Sequence, residues 1–199
     1  MADSSRKQLK QVTQARVLKA AMQLFQERGF AATTIRGIAE LAGVSTGTVM
    51  TVGDKNTLLV QVFDTMIAGE HAQRAGSPTR LTVDSLDSCV ERLIALVQPF
   101  VAMFTDNPEL ARAYASILIS GTHSSSLFTK LAAQLVEEFA TAITEHGCTS
   151  PVDADARAKA LYAAYVGALF TWSAGNMDDS HSLTKNLRTL FATICFCKE

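Results

Sequence analysis

The stretch Thr33-Thr34-Ile35-Arg36-Gly37-Ile38-Ala39-Glu40-Leu41-Ala42-Gly43-Val44-Ser45-Thr46-Gly47-Thr48-Val49-Met50 decides how the rest of the chain is read. It has the parts that two short helices crossing steeply require. Ala39 is small, so a second helix can pass close to it. Gly43 can adopt the left-handed conformation of a sharp turn. Val44 is apolar and suits the gap between the helices, and Ser45 can cap the second helix by accepting from its first-turn N–H groups. Ile35, Ile38 and Val49 fall on the inward side. The pattern predicts helices over 34–42 and 45–52. An ordinary helical hairpin with a glycine turn would share these inner positions, so the outer face decides. Thr46, Gly47, Thr48 and Thr51 are small and polar where a solvent-facing helix more often carries Glu, Lys or Gln. That surface could sit deep in a DNA major groove, which makes the segment a candidate helix-turn-helix.

Working outward, nearly every segment has the 3.6-residue period of an amphipathic helix. Leu18, Ala21, Leu24 and Phe25 form the stripe of a first helix over 11–28, with Gly29 as a left-handed C-cap. A fourth begins near Asp54 and carries Leu58, Leu59, Val62, Phe63, Met66 and Ile67. Ala75-Gly76-Ser77-Pro78-Thr79 breaks the pattern, and a long helix over 83–104 contains Pro99. Asn107-Pro108-Glu109 is a helix start, with proline at the first helical position; that helix ends at Gly121. Further helices are predicted from Ser124-Ser125-Ser126 to His146 with Gly147 as the stop, from Asp153 to Trp172, and from Ser180 to the C-terminus. The expected fold is therefore all-α, with about nine helices and no strand. Its expected divisions are a flexible basic arm (1–10), a three-helix helix-turn-helix DNA-binding domain (11–54, motif about 33–52) and a helical ligand-binding and dimerisation domain (55–199).

Composition agrees. The chain is 48% hydrophobic over 199 residues, with 4 prolines, and its net charge is −1. Residues 1–60 hold eight basic and four acidic residues, a net +4 that leaves −5 for the remainder. A basic first segment on an acidic body suits an anionic partner that meets one end. The start is polar and no leader is expected. The most apolar stretch, 160–175, is interrupted by Thr171 and Ser173 and is short of the roughly 20 residues that span a bilayer, so a soluble cytoplasmic protein without a membrane partner is expected. Cys89, Cys148, Cys195 and Cys197 show no C-x-x-C spacing, and the sequence offers no Cys/His set for zinc. No metal, cofactor or catalytic residue is expected: there is no phosphate-binding glycine loop, no Glu-x-x-His and no recognisable Ser/His/Asp arrangement.

Residues 13–67 resemble the DNA-binding domain of the TetR family of bacterial transcriptional regulators. The resemblance rests on Ala20-Ala21, Leu24-Phe25, Glu27-Arg28-Gly29-Phe30, Thr33-Thr34-Ile35-Arg36, Ile38-Ala39, Ala42-Gly43-Val44-Ser45, Gly47-Thr48, Lys55 and Leu58-Leu59. It implies that Thr34 and Lys55 contact phosphates, that Arg36 reaches a phosphate or a base edge, and that Ser45, Thr46, Gly47, Thr48 and Thr51 lie at or near the DNA. The chain departs from the family pattern at Met50-Thr51-Val52-Gly53-Asp54-Lys55, which is one residue shorter and lacks aromatics. Met50 cannot make the tyrosine hydroxyl bond to phosphate common there, and Thr46 stands where a lysine is frequent. Arg6, Lys7 and Lys10 are candidates to compensate.

The resemblance also implies a homodimer joined by a four-helix bundle, with recognition helices about 34 Å apart on a palindromic double-stranded operator. Candidate interface residues are Ala156, Ala160, Ala164 and Ala168, a four-residue row, and Leu183, Leu187, Leu190 and Ile194, spaced as a helix–helix seam. Packing within the chain would give the same periodicity. A cavity in the middle helices would take a small apolar or aromatic effector, with Phe100, Met103, Phe104, Tyr114, Ile117, Phe128, Tyr162 and Tyr165 as candidate lining. The alternative is a helical small-molecule-binding or thiol-sensing protein with weakened or lost DNA binding.

Overall fold

In the computed structural model, residues 2–75, 88–125, 129–175 and 180–195 are described. They form nine helices and no strand: α1 (Ala2–Ala32), α2 (Ile35–Ala42), α3 (Thr46–Val52), α4 (Lys55–Ala75), α5 (Cys89–Thr105), α6 (Pro108–Ile119), α7 (Lys130–Glu145), α8 (Pro151–Ala174) and α9 (Ser180–Cys195). No helix among them is long and apolar enough to cross a membrane. Phe128, Cys197 and the expected break at 76–79 lie outside the described residues.

The chain divides into two compact units, Met1–Met66 with Ala113–Ser125, and Ile67–Arg112 with Ser126–Glu199. In the first, α1 packs on α2 and α3. Val17, Ala21, Leu24 and Phe25 of α1 meet Ile38 and Val49 in a core closed by Leu58, Leu59 and Phe63. α1 starts at Ala2, well before the expected 11, so the segment expected as a flexible arm is helical. Arg6, Lys7, Gln8 and Lys10 are good helix formers and extend the helix without burial. Gly29 interrupts α1 where the sequence placed its stop, but at φ 76°, ψ 166° rather than in the left-handed helical region. That conformation is essentially restricted to glycine. Thr33 ties the corner together, its hydroxyl donating to the Gly29 carbonyl at 2.8 Å and the Leu24 carbonyl at 3.1 Å. Tyr114 stacks on Phe63 with ring centroids 4.4 Å apart, and its hydroxyl shares a hydrogen-bond network with Ser125 and Asp64.

In the second unit α5, α7, α8 and α9 form a closed circuit, each packing on two others. The core interleaves Leu93, Val97 and Phe100 with Leu135, Phe139, Leu161, Leu169, Leu187 and Phe191. Each such side chain contributes about 1.5–3 kcal/mol by leaving water. Pro99 lies within α5, and the helix runs on to Thr105. The α7–α8 turn is specified locally. Gly147 takes φ 78°, and Ser150 caps α8 by accepting from the Asp153 N–H at 3.3 Å, so α8 starts two residues before the expected Asp153. Arg112 caps the other end of α8, donating to the Ser173 carbonyl at 3.1 Å and the Gly175 carbonyl at 2.9 Å.

Candidate nucleic-acid interface and ligand cleft

Each turn of the helix-turn-helix is built by the residue type its backbone demands. Thr34 caps α2, its Oγ1 accepting from the Gly37 N–H at 3.0 Å. Gly43 ends α2 at φ 64°, ψ 42°. An added Cβ there would sit 3.0 Å from Arg16 Nη2, because Arg16 crosses the turn to donate to the Ala42 carbonyl at 2.6 Å. Ala39 is buried against the crossing helix, and the Val44 N–H donates to its carbonyl at 3.0 Å. Ser45 caps α3 by accepting from the Thr48 N–H at 3.0 Å.

Fixed in this way, α3 turns Val49 inward and leaves Thr46, Gly47, Met50 and Thr51 exposed. Thr48 is half-buried. Its hydroxyl pairs with that of Ser45 at 2.8 Å, while the Thr51 hydroxyl donates to the Thr48 carbonyl at 2.7 Å. Thr48 and Thr51 also border a cleft of about 420 Å³ shared with Leu9, Lys10 and Thr13 of α1. The residue the sequence reading passed over is Met50. It lacks the hydroxyl of a tyrosine, yet it stands 53% exposed on the same helix as Thr46 and Gly47. A thioether there suits contact with a thymine methyl.

Arg36 is 84% exposed and joined to Glu40 at 3.0 Å. An exposed pair of this kind is worth little, so the guanidinium can turn to a phosphate at small cost. Lys55 is placed differently. Its ammonium donates to the carbonyls of Phe30, Ala31 and Thr33 at 3.0, 3.3 and 3.2 Å and lies 4.5 Å from the Phe30 ring centre. An ammonium has three donors, and all three are engaged in closing the α1–α2 corner. The short segment before Lys55 depends on Gly53, where an added Cβ would come within 2.6 Å of Thr57. Asp54 then caps α4, accepting from the Thr57 N–H at 2.7 Å. That bond, the Thr57 hydroxyl and nearby His123 hold the Asp54 carboxyl below its ordinary range.

In the second unit a cleft is lined by Ile67, His71, Phe100, Phe104, Tyr162 and Tyr165, with α7 and further α8 side chains closing it. Four candidates, Phe100, Phe104, Tyr162 and Tyr165, thus meet. Met103 does not line the cleft, and Tyr114 and Ile117 belong to the first unit. The walls are nearly in contact. The cavity volume is about 10 Å³, roughly one water molecule. The polar groups are sparse. Buried His71 lies 3.2 Å from Glu138 through Nδ1 and 4.8 Å from the Phe100 ring. Burial pushes the Tyr162 phenol up to about 12, so its hydroxyl keeps its proton near neutrality. His71 and Glu138 were not singled out from sequence, being 67 residues apart.

The candidate interface residues divide. Leu183 and Leu187 are buried within the chain's own core, Leu190 and Ile194 are half-buried, and Ala168 is buried. The exposed face of α8 carries Ala156, Ala160, Ala163, Gly167 and Thr171. The sequence offers no Cys/His set of metal-ligand spacing, yet Cys89, His146 and Cys148 bring their ligand atoms within 4.8 Å of one another. His146 and Cys148 flank Gly147 at the end of α7, while Cys89 opens α5, 57 residues before His146, so sequence spacing does not mark the set.

Two short capped helices and an outward face of small side chains define a helix-turn-helix segment. Residues 17–51 match the family model for bacterial regulatory proteins, tetR family. The fold is similar to that of solved TetR-family structures. FadR from Thermus thermophilus, a TetR-family transcriptional repressor solved with lauroyl-CoA, superposes with TM-score 0.66 at 21% identity, over 91% of this chain and 92% of that one. FadR from Bacillus subtilis, solved with stearoyl-CoA, gives 0.62 at 14% identity over 91% and 97%. A TetR transcription regulator from Haloarcula marismortui gives 0.63 at 19% identity over 94% and 97%. No curated protein matches the sequence. The chain is thus similar to the tetR family in its helix-turn-helix segment, and to solved TetR-family structures in its fold.

Proposed function

We propose that the chain is a cytoplasmic, ligand-responsive repressor that binds a palindromic DNA operator as a homodimer and releases it when a small apolar molecule enters the second unit. The observation that carries this reading is the outward face of α3, where Thr46, Gly47 and Met50 are exposed on a helix whose start is fixed by Ser45. Thr46, Gly47 and Met50 meet base edges. Thr34 and Arg36 position the protein on phosphates, and Ser45, Thr48 and Thr51 chiefly set the geometry of α3. Lys55 acts through the α1–α2 corner, because a phosphate contact would take its ammonium from three carbonyls.

The small-residue face of α8, from Ala156 through Ala160 and Ala163 to Gly167, supports close approach by a second copy, with Leu190 and Ile194 at the edge of α9. The aromatic cleft supports an apolar effector, and the acyl-CoA partners of the two FadR structures make acyl chains the first class to test. Since the cleft has room for only about one water molecule, such a ligand must part its walls. It then shifts the DNA equilibrium only by its unequal affinity for two arrangements of the dimer.

The test is selection of random duplex DNA on purified protein at moderate salt. A palindromic consensus released by an acyl-CoA is expected. No enrichment from folded, dimeric protein would refute operator binding and favour a small-molecule-binding protein that has lost it.

A further inference from the structure

Independently of DNA binding, we infer that Cys89, His146 and Cys148 form a binding site for a single zinc-type cation, with Cys195 next to Cys89 as a candidate fourth ligand. Cys89 opens α5, His146 caps the end of α7, Cys148 lies in the α7–α8 turn and Cys195 closes α9. The ligand atoms of the first three lie within 4.8 Å of one another. The Cys89 and Cys195 sulfurs are 3.9 Å apart, and His146 Nδ1 is 3.1 Å from the Cys148 sulfur. Zinc bonds of about 2.3 Å to sulfur and about 2.0–2.1 Å to nitrogen, in tetrahedral geometry, put sulfur pairs about 3.8 Å apart and sulfur–nitrogen pairs about 3.6 Å apart. The thiol pair already has that separation, and the His146–Cys148 pair needs to open by about half an ångström.

The backbone holds the His-x-Cys pair ready. Gly147 between them takes φ 78°, and the Cys148 N–H donates back to the Ile143 carbonyl at 3.1 Å. This is the 6→1 bond of a Schellman turn, and it folds both side chains to one side. Burial is graded as an ion site requires. Cys89 and Cys195 are each 1% exposed, so their sulfurs are shielded, while His146 and Cys148 are half-buried and give a cation its entry. Charge is compatible too. The first turn of α5 presents its positive end to a Cys89 thiolate, and Arg157 lies at the end of α9, donating to the Cys195 carbonyl at 3.1 Å. Thiolates with an imidazole select zinc or another soft ion over magnesium or calcium. Binding would tie together the start of α5, the α7–α8 turn and the end of α9.

The test uses full-length, metal-free protein under a phosphine reductant, titrated with Co²⁺ and then Zn²⁺. One Co²⁺ per chain is expected, with thiolate-to-cobalt charge-transfer absorption and the intense visible bands of a tetrahedral site, all abolished by equimolar Zn²⁺. Cys148→Ser and His146→Ala change half-buried turn residues, so helical circular dichroism should be retained while Co²⁺ affinity falls by about 100-fold or more. Zn²⁺ should raise the melting temperature of the parent and not of Cys148→Ser. Cys195→Ser should weaken the charge-transfer band, and an unchanged band would remove Cys195 from the set. Absence of the charge-transfer absorption in the parent, or the same spectrum and affinity in Cys148→Ser, would overturn the proposal.

Discussion

The two units are both all-helical, but different features specify them. In the amino-terminal unit the decisive positions are single backbone sites: Gly29 at φ 76°, Gly43 at φ 64°, and the capping oxygens of Thr34 and Ser45. Each demands a residue type that can be recognised one at a time along the chain. The second unit also uses such devices, at Gly147 and Ser150, but its clefts and clusters come from side chains far apart in sequence. Where structure is written in local backbone chemistry a sequence can be read closely. Where it is written in which helix meets which, the sequence supplies candidates and the packing selects among them.

The largest way to press on that contrast is to remove bulk from the second unit. Phe139 is fully buried, and its ring lies edge-on to Phe191 with centroids 5.7 Å apart. Phe139→Ala should cost about 3–5 kcal/mol in urea unfolding, whereas volume-conserving swaps should be tolerated. In the amino-terminal unit a single methyl should be felt instead. Gly29→Ala adds only a Cβ yet should cost about 1–3 kcal/mol, because alanine does not readily adopt φ 76°, ψ 166°. An alanine at Gly29 that left unfolding unchanged would break the comparison at its strongest point.

Lys55→Met comes next. It should destabilise the amino-terminal unit by about 1–2 kcal/mol through three orphaned carbonyls. If Lys55 instead acted on phosphate alone, the variant would lose DNA affinity with no change in melting. The smallest effect concerns Asp54, exposed but accepting from the Thr57 N–H. Asp54→Ala should cost about 0.5–1 kcal/mol near neutrality. The Asp54 carboxyl is held below its ordinary range, so its contribution is present above the unfolded carboxylate pKa of about 4 and is lost as pH falls through the lower folded value. Unfolding measured from pH 7 downward should show the parent and the variant converging in acid. A constant gap would assign the effect to packing.

The same distinction explains what could be read beforehand. The helix-turn-helix boundaries were legible to within a residue because Thr34, Gly43 and Ser45 each name their own position. Gly29 was located correctly, though its ψ was not legible from residue type. The alanine row shows why periodicity alone misled in the second unit. A four-residue step turns a helix by about 40° beyond a full revolution, so Ala156 and Ala160 are exposed, Ala164 is half-buried and Ala168 is buried. The exposed face instead continues through Ala163 and Gly167. Likewise Tyr114 and Ile117 are buried, but in the first unit rather than at the cleft, which is a tertiary fact that residue type does not carry. Cys89, Cys148 and Cys195, dispersed in sequence, approach because α5, α7 and α9 bring their ends together, and the surface that Met50 offers follows from its place on α3 rather than from its residue type.

The most direct test of the DNA-reading account lies at Gly47. Its backbone has no positive φ, and an added Cβ would meet only Ser45 Oγ at 3.7 Å, an ordinary contact. Gly47→Glu should therefore fold and melt close to the parent while placing a carboxylate on the outward face of α3. Operator binding, measured by fluorescence anisotropy on the selected duplex, should fall by about 100-fold or more, because a like charge opposes the phosphate field. A folded Gly47→Glu protein that binds the operator as the parent does would contradict the assignment of this face to DNA.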